Sequence, residues 1–389
     1  MNLELLFWLA VGLLAFTYAG YGVVIWAVNK VIKPGKIISE TEEELPDVAI
    51  LIAAYNEEDF IAAKICNTMQ LDYPSSKLHI YVVSDGSNDR TNAIIGTFEN
   101  VTLLYEPARK GKTAAINRAM TFVNQPVTVF TDANVMLNKL ALAKMVTHYA
   151  DPETGGVSGE KRVIEEGVDS ASSTEGLYWK YESFLKREDA RMSTLVGAAG
   201  ELFSIRTHLY EALPEDTLLD DFMISMGIIV KNYRIAYEPD AYATELPSLN
   251  IAEEYKRKVR IGAGGIQSLI RLPQLLNPFK FGLLTFQYFF HRFMRWTFAP
   301  VLIVSAYVLN MMLVTEGIIY AVLFELQTIF HIASFVGWYC ERKKIKVKLF
   351  FVAYYFNFMH FCIVAGWFKY FKGGQKAAWD KSTRIISLS

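Results

Sequence analysis

Four long apolar runs frame the chain. Residues 5–29 carry no charge, and Lys30, Lys33 and Lys36 follow directly. Residues 296–315 are uncharged, residues 317–340 carry only Glu325 and His331, and residues 349–368 carry only His360 as an ionisable group. Each run is long enough for the ~30 Å hydrocarbon core of a bilayer. A cleaved signal peptide would place basic residues before a shorter apolar core, whereas here they come after it. The first run is therefore expected to be a signal anchor, with its N-terminus outside and the following domain cytoplasmic. The basic loop ERKKIKVK (341–348) agrees, because two crossings return the chain to the cytoplasm. A third crossing would strand Lys369, Lys372, Lys376, Lys381 and Arg384 outside. Either the tail is external, or residues 349–371 form a bent or re-entrant segment. Residues 271–295 mix Arg and Lys with many Phe, as interfacial helices do. A soluble amphipathic helix packed on the domain is the other reading. For Glu325 and His331 a helix–helix hydrogen bond is expected.

Between these runs the pattern changes to short apolar strands alternating with helical periodicity. VAILIAA (48–54), IYVVSD (80–85), VTLLYE (101–106) and VTVFTD (127–132) read as strands. Residues 57–70, a stretch from Asp89, residues 111–123 and residues 137–149 read as helices. Such alternation predicts an α/β fold with a mainly parallel sheet and helices on both faces. Its ligand crevice lies at the C-terminal strand ends, where Tyr55, Asp85 and Asp132 all fall. The chain then divides into an anchor (1–36), a cytoplasmic domain (37–270), interfacial helices (271–295), a membrane region (296–371) and a basic tail (372–389).

Composition narrows the chemistry. A net charge of −1 argues against a nucleic-acid partner. Cys66, Cys340 and Cys362 form no CxxC pair, and the six histidines show neither HxxxH nor HExxH spacing. A bound metal would then be held by oxygen, which favours Mg²⁺ or Mn²⁺. No Ser/His or Cys/His constellation for a covalent intermediate is visible.

Several short motifs follow one another in a fixed order. They are AAYNEE (53–58), SDGSNDRT (84–91), RKGKTAAIN (109–117), Asp132-Ala133-Asn134, GAAGELFSIR (197–206), LLDDF (218–222), RKVRIGAGG (257–265) and WDKSTR (379–384). Singly, each has a plain structural alternative. DGS is a common turn, Asn134 could cap a helix near Leu137, Asp220-Asp221 could cap another, and Arg257 to Arg260 could be a solvated face or an anionic-lipid contact. Glu160 and Glu182 read as surface charge. The ordered series, however, resembles membrane-embedded family 2 glycosyltransferases with a GT-A fold. That group holds the cellulose, chitin, hyaluronan and poly-N-acetylglucosamine synthases. The likeness runs from about residue 46 to 270, and the flanking membrane layout matches too.

The resemblance implies a role for each matching position. Ala54, Tyr55 and Glu57 would cup the nucleotide base, Asp85 would contact uracil, and Lys112 would lie near the diphosphate. Asp132 and Asn134 would occupy the DxD place for ribose and metal. Gly197 and Gly200 would border the acceptor, beside Asp220 and the general base Asp221. Arg257 and Arg260 would stand in the QxxRW place and contact phosphate or acceptor. Asn134 is a weaker cation ligand than aspartate, and Ile261 replaces the tryptophan of the acceptor platform. The implied reaction is an inverting transfer from a UDP-linked sugar to a glycan or lipid acceptor at the cytoplasmic face of a bacterial inner membrane. Polymer elongation and single transfer both fit, and an oligomer or secretion partners would be compatible with either. A non-catalytic membrane subunit that binds nucleotide or a partner is the competing class.

Overall fold

The computed structural model describes residues 2–31, 45–163, 170–246, 251–343, 345 and 347–374. Two compact units interleave along the sequence. One comprises Met1–Lys33, Glu165–Glu188 and Tyr255–Gly374, the other Pro34–Ile164, Asp189–Glu254 and Gln375–Ser389.

The second unit is built on one eight-stranded sheet of order β3-β2-β1-β4-β7-β6-β8-β5. Its strands are β1 (Val48–Ala54), β2 (Leu78–Asp85), β3 (Val101–Glu106), β4 (Val127–Asp132), β5 (Met136–Leu137), β6 (Thr154–Val163), β7 (Leu202–Arg206) and β8 (Arg234–Glu245). Strands β1 to β4 are parallel, as the alternation of strands and helices predicts. Helix α3 (Ile61–Met69) and α6 (Ala141–Val146) help cover the sheet, burying Ile61, Ile65, Leu142 and Met145 with Ile50, Ile52 and Val129. The covering helices also include α4 (Thr91–Ile95), α5 (Lys112–Met120) and α8 (Asp220–Val230).

Beyond β4 the sheet changes character. Strand β7 runs antiparallel to both β4 and β6, β8 pairs parallel with β6, and β5 closes the edge antiparallel to β8. Phe130 of β4 stacks on its register partner Phe203 of β7 with ring centroids 4.7 Å apart. The sheet is thus mixed, and its parallel half is the part legible in the strand–helix alternation. One helix differs from expectation. Leu137 belongs to β5 and α6 begins only at Ala141, because Asn67 clasps both the amide and the carbonyl of Leu137. Asn134 accordingly does not cap α6.

The first unit is helical. Its N-terminal segment runs through α1 (Leu3–Ala15), a π-turn and α2 (Tyr21–Val31), 29 residues apolar enough to cross a membrane. Helix α7 (Ser170–Met192) and α9 (Ile251–Arg271) precede short pieces α10 (Pro278–Phe281), α11 (Leu283–Tyr288) and α12 (Met294–Trp296). After these come α13 (Phe298–Leu313), α14 (Ile318–Arg342) and α15 (Lys348–Phe371). Both α14 and α15 pass as membrane spans by length and composition.

Three expectations change here. Helix α15 is continuous over 24 residues, so the bent segment is not at 349–371. The bend of 62° lies instead between Leu283–Trp296 and α13, and α13 alone has only 16 residues. His331 does face another helix, with its Nδ1 3.4 Å from Asn357 Nδ2, but Glu325 is exposed. Glu182 is not surface charge. It is buried on α7 and meets Arg292 at 2.9 Å, His291 at 3.1 Å and Arg295 at 3.3 Å.

Candidate active site

The first site element is a pair of turns zipped together at the ends of β1 and β2. The Asn56 amide donates to Ser87 Oγ at 3.1 Å, Glu57 N to Thr91 Oγ1 at 2.8 Å, and Asn88 N to Asn56 Oδ1 at 2.9 Å. Asn56 adopts a left-handed φ of 54°, tolerable for asparagine in a tight turn. These bonds place Tyr55 beside Asp85. The buried Asp85 carboxylate accepts from the amides of Lys110 at 2.9 Å and Gly111 at 2.7 Å. It thus holds the loop that opens α5. Gly111 has φ of 102°, a conformation that disfavours any side chain there.

A small open cleft lies at this point, lined by Ala54, Tyr55, Asp85, Arg109, Gly111 and Lys112 among others. Four of the nucleotide residues expected from sequence therefore meet there, while Glu57 and Asp132 are outside its lining. Arg109 was not anticipated, and its guanidinium lies 3.7 Å from the Tyr55 ring centroid. A planar cation on an aromatic face makes a flat, polar-edged platform suited to a nucleobase.

The second element is a chain of charges. Lys112 Nζ donates to Asp132 Oδ1 at 2.7 Å and lies 3.6 Å from Asp220 Oδ2. Burial works against its ammonium, but Asp132, Asp220 and Asp221 outweigh that and hold its pKa above the ordinary lysine value. Thr113 Oγ1 donates to the Thr217 carbonyl at 3.0 Å, and Asn117 Nδ2 to that of Leu213 at 2.7 Å. These bonds tie α5 to the segment leading into α8. Asp220 and Asp221 occupy the first turn of α8. Burial, and then the Asp220 carboxylate, push Asp221 up to about 7, against the opposing pull of Lys112 and the Phe222 amide. A carboxyl group titrating there can take a proton near neutral pH.

The glycine segment lies against the same turn. A Cβ on Gly200 would stand 2.9 Å from Asp221 Oδ2, and one on Gly197 would meet Phe222 at 2.5 Å. Buried Lys161 of β6 bridges Glu201, the next residue along, to Glu245. Glu160, read as surface charge, is also buried and accepts from Tyr237 Oη. Beneath β4, Lys64 is fully buried, and that burial lowers its pKa to about 7 against the pull of Asp132. No sequence motif marks Lys64 or Lys161. A lone lysine in a helix or strand carries no signal of burial, which tertiary packing decides.

Among the described residues no group of three or more His, Cys, Asp or Glu could hold a metal ion. The turn after β4 offers one carboxylate and one amide. These hard oxygen donors fit Mg²⁺ or Mn²⁺ only where a diphosphate supplies further ligands. Arg257, Arg260 and Ile261 lie on α9 in the other unit. There the glycines after Ile261 serve helix packing: a Cβ on Gly262 would stand 2.9 Å from Ile363 Cα of α15, and one on Gly265 2.7 Å from the Trp296 ring. The WDKSTR tail lies outside the described residues.

Residues 49–213 match the family described as Glycosyl transferase family 2. Over 240 residues, 59% of this chain, the sequence is 26% identical to a poly-beta-1,6-N-acetyl-D-glucosamine synthase of Staphylococcus aureus. The Staphylococcus epidermidis synthase is 22% identical over 246 residues. The chain spans 57% and 58% of these two relatives. Among solved structures, the mannosyltransferase PcManGT from Pyrobaculum calidifontis, in complex with GDP-Man and Mn²⁺, superposes with a TM-score of 0.73. That match covers 95% of this chain and 100% of that one at 20% identity, and it shows the GT-A fold.

Proposed function

We propose that this chain, which carries a glycosyl transferase family 2 domain over residues 49–213, is an inverting glycosyltransferase working at a membrane. The observation that carries this reading is the Asp221 carboxylate, half-buried in the first turn of α8, pushed up to about 7 and one residue from the Asp220–Lys112–Asp132 chain. That arrangement sets a base beside a cation anchored at the expected leaving-group site. The acceptor hydroxyl gives its proton to Asp221 as its oxygen bonds to the anomeric carbon. The bond from that carbon to the nucleoside diphosphate breaks on the opposite face, which inverts the configuration.

Lys112 has three donors, so it can serve Asp132 and a phosphate oxygen together. Its ammonium then offsets charge on the departing diphosphate. Tyr55 and Arg109 hold the base, and Asp85 keeps their loop in place. A Mg²⁺ or Mn²⁺ ion bound through Asp132, Asn134 and the diphosphate would supply further charge neutralisation at the leaving oxygen. The staphylococcal relatives, named as poly-beta-1,6-N-acetyl-D-glucosamine synthases, support an N-acetylglucosamine donor and a glycan acceptor, and the motif resemblance makes UDP the expected nucleotide. The archaeal neighbour, solved with GDP-Man and Mn²⁺, makes a guanine nucleotide the alternative to test. Arg257 and Arg260 suit the phosphate of a lipid acceptor. The basic flanks of the apolar runs support a cytoplasmic site.

The test is incubation of membranes containing the chain with radiolabelled UDP- and GDP-sugars, followed by sizing of the product. Label should enter a glycan or lipid fraction with the wild type and not with Asp221→Asn. Label transfer that is equal in the two would overturn the reading.

A further inference from the structure

Helix α3 grips the strand-end turn that carries Asp132 and Asn134 from beneath. Lys64 Nζ donates to Thr131 Oγ1 and to the Val135 carbonyl, both at 2.9 Å. Thr131 immediately precedes Asp132, and Val135 immediately follows Asn134. A single ammonium therefore clamps both ends of the Asp132-Ala133-Asn134 turn. One turn along α3, Asn67 holds Leu137 through two more bonds, of 2.8 and 2.9 Å. The Thr131 hydroxyl passes the connection on, donating to the Glu201 carbonyl at 2.9 Å, next to the Gly200 that packs against Asp221. Burying an ammonium is costly, and a methionine would fill the same space without that cost. Lys64 must then do something that an apolar side chain cannot.

We propose that Lys64 is a positioning residue for the donor site: it fixes the path of the Asp132–Asn134 turn and, through Thr131, couples it to the segment beside Asp221. This deepens the transferase reading and rests on it. Groups that orient metal ligands from outside typically change metal affinity by ~10–100-fold when lost.

The test uses the purified full chain, with Mn²⁺ and UDP or GDP as probes. In Lys64→Met, calorimetry should show Mn²⁺-dependent nucleotide affinity about tenfold weaker, while affinity in EDTA is unchanged. Amide hydrogen exchange at residues 132–137, without any ligand, should be faster than in the wild type. Thr131→Val removes one acceptor of the clamp. It should show a smaller loss, and Lys64→Met should cost less in that background than alone. Should Lys64→Met fail to fold, Thr131→Val alone must still loosen residues 132–137. Unchanged exchange and affinity in a folded Lys64→Met would overturn the proposal. So would tighter Mn²⁺ binding, which would make the ammonium a repelling charge rather than a clamp. Absence of Mn²⁺-dependent nucleotide binding in the wild type would instead count against the transferase reading, and hydrogen exchange would then decide the clamp.

Discussion

The two halves of the sheet handle charge in opposite ways. In the parallel half, carboxylates serve as tethers for donors: Asp85 holds the amides of Lys110 and Gly111, and Asp132 holds Lys112. What faces the cleft is a guanidinium on an aromatic ring and an ammonium, the chemistry of a diphosphate leaving group. In the mixed half carboxylates crowd together, with Asp221 beside Asp220 and pushed further by Glu201. Like charges drawn out of water raise proton affinity, so the same residue type titrates near neutrality. Local sign of charge, more than residue identity, separates a tether from a base.

The comparison breaks most visibly at Asp221. Asp221→Asn should lower transfer by ~10²–10⁴-fold while nucleotide affinity stays near wild type. Wild-type turnover in that variant would move suspicion to Asp220. Next in size, Asp132→Ala should weaken Mn²⁺-dependent nucleotide affinity about tenfold or more, since it removes a proposed ligand and the partner of Lys112. Asp85→Ala should behave differently. It leaves the buried Gly111 amide and the part-buried Lys110 amide without their acceptor, destabilising the fold by ~1–3 kcal/mol and weakening the nucleotide equally with and without metal. A metal-selective loss in Asp85→Ala would erase the distinction drawn between the two tethers.

Titration sharpens the contrast with a smaller effect. The pKa of Asp221 in the folded chain, about 7, lies above its ordinary 3.8, so between these values the native state holds a proton that the unfolded state has lost. The stability this provides is complete below 3.8, declines as pH rises towards 7 and is absent above it. Asp221→Asn should therefore melt higher than wild type at pH 8, with the gap closing towards pH 4. Wild-type kcat/KM should rise through an apparent pKa near 7. Equal melting curves for the two proteins at pH 8 would show that Asp221 is not held in this way. The smallest effect is expected at Ile261, which offers less flat area for a sugar than the tryptophan of the family motif. Products should be short, and Ile261→Trp should lengthen them on a sizing gel. Long wild-type polymer without added lipid acceptor would refute this.

How far the chain could be read depended on how local each signal was. Strands β1, β3 and β4 stand at their expected residues: β1 and β4 are buried along almost their whole length, and β3, at the edge, is marked by its β-branched and aromatic residues. Strand-end position puts Tyr55, Asp85 and Asp132 at one crevice; Tyr55 and Asp85 do line one cleft, whereas Asp132 lies outside its lining and reaches it through its ion pair with Lys112. Strands β6 and β8 escaped notice because glycines and charged residues interrupt them: TGGVSGEKRV and RIAYEPDAYATE have no clean period. The bend before α13 was likewise missed, because hydropathy records length and not direction.

By itself the sequence determined which residues could be strand, helix or span, and which carboxylates stood at strand ends. Periodicity and composition act within a few residues, so a chain displays them before it folds. Only the tertiary structure decided that Lys64 would be buried under the Asp132 turn, that Arg109 would lie on Tyr55, and that Glu182 would be enclosed by His291, Arg292 and Arg295. Burial and charge pairing join residues more than a hundred positions apart. The free energy of a charged group depends on those distant neighbours and on the water they exclude.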